Sequence, residues 1–457
     1  MSISKTAVWF VWFLITLSVG GYLGYRLLMT DDQSIFLLGE TTHGHHQIEL
    51  ACSSCHTSAF GGGEVLQNAC VDCHGAALKA ANDTHPRSKF TDPRNADRLA
   101  NVQATECITC HREHKPAMTG PMGVTVPTDV CFHCHEGIAE SRPSHEGMGF
   151  DTCASAGCHN YHDNRALYED FLLTHAQAPD FLAEGRVALR WLDQYSPDQY
   201  SLDQGRGAPT PLAMDDQDAP AGVAFSAQVL DDWAHSAHAQ TGVNCTSCHA
   251  ASDGVWIDAP DHNGCTECHA TEVKGFLSGM HGMRLAAGLS PMRPEQARLP
   301  MQDHAHGLEL SCTSCHGDHG FNTVTAAVDA CLGCHADQHS LAYVDSPHHL
   351  LWQQELAGEG EAGTGVSCAT CHMPREIHRR GGADVVVVQH NQNSNLRPVE
   401  QMARTACMSC HGLSFTLDAL ADPVLRANNF RGRPAAHVPS IQMAEERLQQ
   451  QQQRRRQ

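Results

Sequence analysis

From Thr6 to Tyr25 the chain carries no charge and runs through Val, Trp, Phe, Leu and Ile. About 20 such residues, wound as a helix, match the hydrocarbon thickness of a bilayer. Trp9, Trp12, Tyr22 and Tyr25 lie towards its ends, where amphipathic rings favour the interface. The pattern predicts an N-terminal transmembrane helix, a signal anchor over residues 1–30. A cleaved signal peptide is the other reading, although an A-x-A site is missing. Both readings require export and place residues 31 onward outside the cytoplasm. Further along, Phe181 to Tyr195 shows a helical apolar face in Phe181, Leu182, Leu189 and Leu192. Val385 to Val388 read as a short buried strand, and the Gln- and Arg-rich end, Gln449 to Arg456, as a frayed helix or disorder. The remainder is Gly, Pro, Asp and short polar runs, which predicts a mainly α fold with extensive irregular loops and very little sheet.

Composition sharpens the problem this pattern poses. Aromatics make up only 6% of 457 residues, so side chains alone make a poor large core, yet the chain holds 22 Cys and 33 His. Chains short of core recruit disulfides or metals. The formal charge of −21 argues against nucleic acid as a partner and favours a self-repelling, soluble surface.

Every cysteine falls into a pair followed directly by histidine. Ten segments read C-x-x-C-H: Cys52, Cys55 and His56; Cys70, Cys73 and His74; Cys107, Cys110 and His111; Cys131, Cys134 and His135; Cys245, Cys248 and His249. The others are Cys265, Cys268 and His269; Cys312, Cys315 and His316; Cys331, Cys334 and His335; Cys368, Cys371 and His372; Cys407, Cys410 and His411. An eleventh has a wider gap, Cys153 and Cys158 before His159. Two thiols so spaced form thioethers with the two vinyl groups of a porphyrin, and the next His becomes the proximal iron ligand. Zinc also binds C-x-x-C pairs but has no use for a His after each second Cys, and neither do disulfides. The chain therefore predicts eleven covalently attached haem c groups, with porphyrin supplying the missing interior.

Twenty-two histidines remain, twice what a second imidazole at every iron requires. His43 and His46 precede Cys52, His235 and His238 precede Cys245, and His304 and His306 precede Cys312. Imidazoles three apart share a helical face and can serve two different haems. A second recurrence follows the proximal His, in His114, His162 and His319. Here the chain resembles class III tetrahaem cytochromes and their three-haem relatives, which carry H-x-x-H before a C-x-x-C-H, use both His as distal ligands, and mix short and longer Cys gaps. Ser278-Gly279-Met280-His281-Gly282 resembles a distal element of many multihaem cytochromes. The distal candidates are His43, His46, His114, His162, His235, His238, His281, His306, His319, His348 and His390; the signal for His348 and His390 is individually weak, as it is for His85, His145 and His339.

The motifs also divide the chain. Close pairs at Cys52 and Cys70, and at Cys107 and Cys131, precede the single site at Cys153. The order pair, pair, single recurs from Cys245, with one extra site at the end. Gln47–His56 also resembles Gly307–His316, an alignment that breaks this order. The expected organisation is an anchor (1–30), a pentahaem module (31–165), a haem-free insert and linker (166–230), a hexahaem module (231–412) and a C-terminal tail (413–457).

Bis-His iron has no open position, which favours electron transfer over catalysis. The first expectation is a conduit anchored in the inner (cytoplasmic) membrane with its haem domain in the periplasm. It would carry electrons from a membrane donor, the quinol pool or a respiratory complex, to a periplasmic or outer-membrane redox protein. The alternative is a reductase or oxidase of a small nitrogen or sulfur compound such as nitrite, hydroxylamine or tetrathionate. Gly365-Val366-Ser367-Cys368-Ala369-Thr370-Cys371-His372-Met373-Pro374, with His378, resembles a segment of the nitrite reductase and hydroxylamine oxidoreductase superfamily. Those nitrite reductases carry Lys at the catalytic haem, where every site here ends in His.

Overall fold

The computed structural model describes residues 4–30, 33–58, 62–83, 85–90, 92–120, 123–142, 145–153, 161–163, 169–190, 210–380, 382–396 and 399–456. The chain is mainly helical with long irregular connections. Its principal helices are α1 (Lys5–Met29), α2 (Gly63–Ala81), α3 (Glu169–His175), α4 (Ala227–Ala234), α5 (His262–Ser278), α6 (Pro347–Leu356), α7 (Leu413–Ala421) and α8 (Pro439–Arg456). Helix α1 starts at Ser4, whose hydroxyl accepts from the Ala7 amide, and buries none of its residues. It is long and apolar enough to cross a membrane.

Among the described residues, the named strands form one two-stranded antiparallel ladder. β1 (Arg375–Arg380) pairs with β2 (Ala383–Val388), in the register Arg375 opposite Val388. The four valines thus form a strand as the sequence predicts, and Val387 on it is 3% exposed.

The expected helix at Phe181–Tyr195 differs over its described part. Residues 181–190 are irregular because their amides bond to a distant segment: Leu182 N–H donates to Cys410 O (2.9 Å) and Arg186 N–H to Ser409 O (3.2 Å). Gly185 permits that approach, since a Cβ there would lie 3.0 Å from Cys410 Cα. Leu192 lies outside the described residues. Arg190 then closes the segment onto α6. Its guanidinium pairs with Glu355 (2.5 Å), with the two side chains 13% and 14% exposed, and stands over the Trp352 ring. Glu355 also accepts from the Gly363 and Gly365 amides. Removing one partner of such a sheltered pair leaves a charge without compensation, so Arg190→Ala is expected to cost about 3 kcal/mol, read as a lowered urea midpoint.

The largest aliphatic cluster lies where the sequence places a tail. Leu172 and Ala176 at α3, Met402 and Ala403, Leu413, Leu417 and Leu420 of α7, and Val438, Ile441 and Ala444 pack together. Asp418 and Asp422 organise the turn that returns α8 to α7. Asp418 accepts from Val438 N–H (2.8 Å) and His437 Nδ1–H (2.9 Å), and Asp422 from the Val424, Leu425 and Ala435 amides. The start of α8 therefore contributes Ser440, Ile441 and Ala444 to the core, and its Gln- and Arg-rich end is exposed. Among the described residues a second buried cluster is small: Val328, Tyr343 and Trp352.

Candidate haem array

Where aliphatic packing is thin, the protein encloses a continuous cavity of about 4340 Å³, far beyond the roughly 300–1,000 Å³ of a small-molecule pocket. Its walls include at least one cysteine of eight attachment motifs, those beginning at Cys52, Cys70, Cys107, Cys245, Cys265, Cys312, Cys331 and Cys368. The segments to either side of residue 200 enclose it jointly. Gln47 Nε2 donates to Gln296 O (3.0 Å), Arg284 Nη1 to Gln47 O (3.2 Å), and Arg298 pairs with Glu40 (3.2 Å).

Each described motif is one helical turn. The amide of the final His donates to the carbonyl of the first Cys at His56 (2.8 Å), His111 (2.9 Å), His135 (3.0 Å), His249 (2.9 Å), His316 (3.1 Å), His335 (2.8 Å) and His411 (2.9 Å). That turn sets both sulfurs on one face and aims the imidazole beside them. In α5 the backbone leaves helical geometry at His269 (φ −112°, ψ 35°), turning its ring out of the helix line. Cys158 and His159 of the wide motif lie outside the described residues.

Nine motif histidines face a second imidazole from elsewhere in the chain, with ring centroids 5.8–6.3 Å apart. The pairs are His74 with His45, His111 with His162, His135 with His85, His249 with His319 and His269 with His238. His316 faces His390, His335 faces His281, His372 faces His339 and His411 faces His348. One metal held by both Nε2 atoms at about 2 Å puts ring centroids roughly 6 Å apart. The donor set and its spacing therefore fit iron between paired imidazoles.

The other ring nitrogens are arranged to match. His111 Nδ1–H donates to Gly123 O (3.0 Å), His249 to Ile257 O (2.7 Å), His390 to Val388 O (2.8 Å) and His411 to Asp180 O (3.2 Å). His85 and His339 donate likewise to Tyr161 O and Arg426 O. His45 Nδ1–H donates to Glu113 (2.7 Å). Burial alone would push the Glu113 carboxyl up, but hydrogen bonds from His45 and Thr42 hold it down at about 2. Fixing Nδ1–H in this way leaves the Nε2 lone pair for a metal. Burial, with a smaller contribution from the facing imidazole, lowers His281, His348 and His372 to about 4. These rings are neutral at pH 7, as metal ligation requires.

Six of the sequence candidates take part in these pairs: His162, His238, His281, His319, His348 and His390. The other candidates have different surroundings. His45, in place of His43 or His46, faces His74, because His43–Ile48 is a tight 3-10 turn and His46 Nε2 is directed at Gln296 O (3.1 Å). His235 caps the end of α4, and a new helix starts at Ser236, so it shares no helical face with His238; its Nδ1–H goes to Asp231 O (2.8 Å). His306 lies beside Asp303 (3.9 Å), His304 is exposed, and His390 takes the place opposite His316. His114 donates Nδ1–H to Gly39 O (2.7 Å). Sequence reasoning passed over His45, and ranked His85 and His339 low.

A zinc reading needs three or four donors converging on one point, and no such cluster of His, Cys, Asp or Glu occurs among the described residues. The described cysteines form no disulfide.

Residues 44–136 match the family model for cytochrome c3. That window holds the four motifs beginning at Cys52, Cys70, Cys107 and Cys131, and supports a multihaem electron-transfer cytochrome with covalently bound haem c. The cytochrome c3 match stops short of Gly365–Pro374, and His378 there lies on β1 with Nε2 beside Glu376 (3.1 Å). Comparison with curated proteins found no match.

Proposed function

We propose that the chain is an eleven-haem electron conduit, held at the inner membrane by α1 with its haem region in the periplasm. The observation that carries this reading is the set of nine facing imidazole pairs, each joining a C-x-x-C-H histidine to one from another part of the chain. Haem c bound there would supply one-electron chemistry at iron, held by the cysteine pair and the two facing imidazoles. The polypeptide's own work is attachment through the cysteines and orientation through the Nδ1–H bonds.

Contacts between motifs support an order within each half that follows the sequence. Cys70 lies against Cys107, Cys131 against Cys153, Cys265 against Cys312, and Cys331 against Cys368, while the Cys371 thiol is pushed up by burial and then by Cys410. Five pairs of sites consecutive in sequence are thus neighbours in space. The acidic exterior favours a donor or acceptor with a basic docking face, with redox proteins as partners and quinol as a candidate donor.

Magnetic circular dichroism and EPR of the oxidised protein test this proposal. An all-low-spin spectrum unchanged by cyanide, nitrite or hydroxylamine is expected. A high-spin haem that binds any of these would favour a reductase or oxidase instead. A second expectation concerns α1. Replacing residues 1–30 with a cleavable export signal should move the coloured protein from the membrane to the soluble periplasmic fraction with its haem count unchanged.

A further inference from the structure

Among the described motif histidines, His56 is the one that no second imidazole faces. The rest of the array indicates what belongs opposite it, because the first five sites and the sixth to tenth repeat one pattern of connections. The second site takes His45, seven residues before Cys52, and the seventh takes His238, seven residues before Cys245. The fourth site takes His85, from between the second and third motifs. The ninth takes His281, from between the seventh and eighth. The third takes His162, from beyond the fifth motif, and the eighth takes His390, from beyond the tenth.

Sulfur contacts repeat in the same order. Cys70 with Cys107 joins the second and third sites, and Cys265 with Cys312 joins the seventh and eighth. Cys131 with Cys153 joins the fourth and fifth, and Cys331 with Cys368 joins the ninth and tenth. Two halves that agree in ligand origin and in sulfur neighbours are two copies of one unit, with the Cys407 site added. This register pairs Cys52 with Cys245, unlike the local likeness of Gln47–His56 to Gly307–His316.

We infer that His114 is the second axial ligand at the first site, opposite His56. The sixth site, its equivalent, takes His319, three residues after the motif histidine His316. His114 stands three residues after His111, the equivalent of His316. Independent geometry agrees. His114 and His56 line the same cavity. His114 gives its Nδ1–H to Gly39 O (2.7 Å), as other paired rings give theirs to carbonyls, which leaves Nε2 as the free donor atom. Its backbone is held in the left-handed region (φ 60°), a conformation that an unconstrained His rarely adopts.

The inference rests on haem attachment, and the test separates the two. His114→Ala keeps all the attachment cysteines, so its haem count should equal that of the parent. One haem in eleven is expected to turn high-spin by EPR and magnetic circular dichroism, and added imidazole should restore the low-spin signal. His114→Met, which keeps a ligand at the position, should instead show a methionine–iron charge-transfer band and a raised potential for one haem. A low-spin His114→Ala protein, or a high-spin haem produced by His43→Ala instead, would overturn the assignment. A parent protein without bound haem would sink the proposed function itself, a different and recognisable outcome.

Discussion

The double variant Cys368→Ala, Cys371→Ala is expected to accumulate at a level about tenfold or more below the parent, while Cys52→Ala, Cys55→Ala accumulates with ten haems. In a chain with the proposed haem interior, ligand binding would be folding free energy, and what is lost would depend on where the group sits. The tenth site is enclosed. Cys371 O accepts from Asn395 Nδ2 (2.6 Å), Asn395 is 1% exposed, Cys331 touches Cys368, and His339 faces His372. Emptying it would unsupport the ninth and eleventh sites together. Cys52 is exposed, on a short 3-10 turn at one end of the array. Heme-stained gels of periplasmic extracts measure the difference, and equal yields of the two variants would contradict the account.

The second large effect belongs to the C-terminal aliphatic cluster. Ile441 and Leu413 are wholly buried, and truncating either leaves a cavity among Leu172, Met402 and Leu417 that few mobile groups can fill. Ile441→Ala is expected to cost about 3–4 kcal/mol, seen as a lower urea midpoint in far-ultraviolet circular dichroism. Val424→Ala, at a side chain 71% exposed, should stay within about 0.5 kcal/mol. Similar losses for both would mean that α8 is not docked as described.

The parts of this protein legible in its sequence are those fixed by local covalent chemistry. Two thioethers and a proximal ligand demand one helical turn, so the motifs announce themselves, and the apolar run of α1 does the same for a membrane-length helix. The histidines that face the motif rings obey no such local rule. His162 reaches the His111 ring from beyond the fifth motif, and His390 reaches His316 from beyond the tenth, so spacing to the nearest motif says little. The usable signal lay in comparing halves: the shared seven-residue interval marks His45 as it marks His238. The C-terminal core was legible but weak. Leu413, Leu417 and Leu420 sit at helical spacing, yet the Gln- and Arg-rich run after them suggested a tail. Phe181 to Leu189 misled in the opposite way, since backbone amides there bond to Ser409 and Cys410 instead of within a helix.

The central claim is that porphyrin bound through every cysteine pair builds the inside of this molecule. Intact-mass measurement of the purified chain, combined with a pyridine haemochrome assay and thiol alkylation under denaturing conditions, addresses it directly. The account predicts eleven haems per polypeptide and no alkylated cysteine. Colourless protein, or a smaller haem number with reactive thiols at the motifs described here, would contradict it.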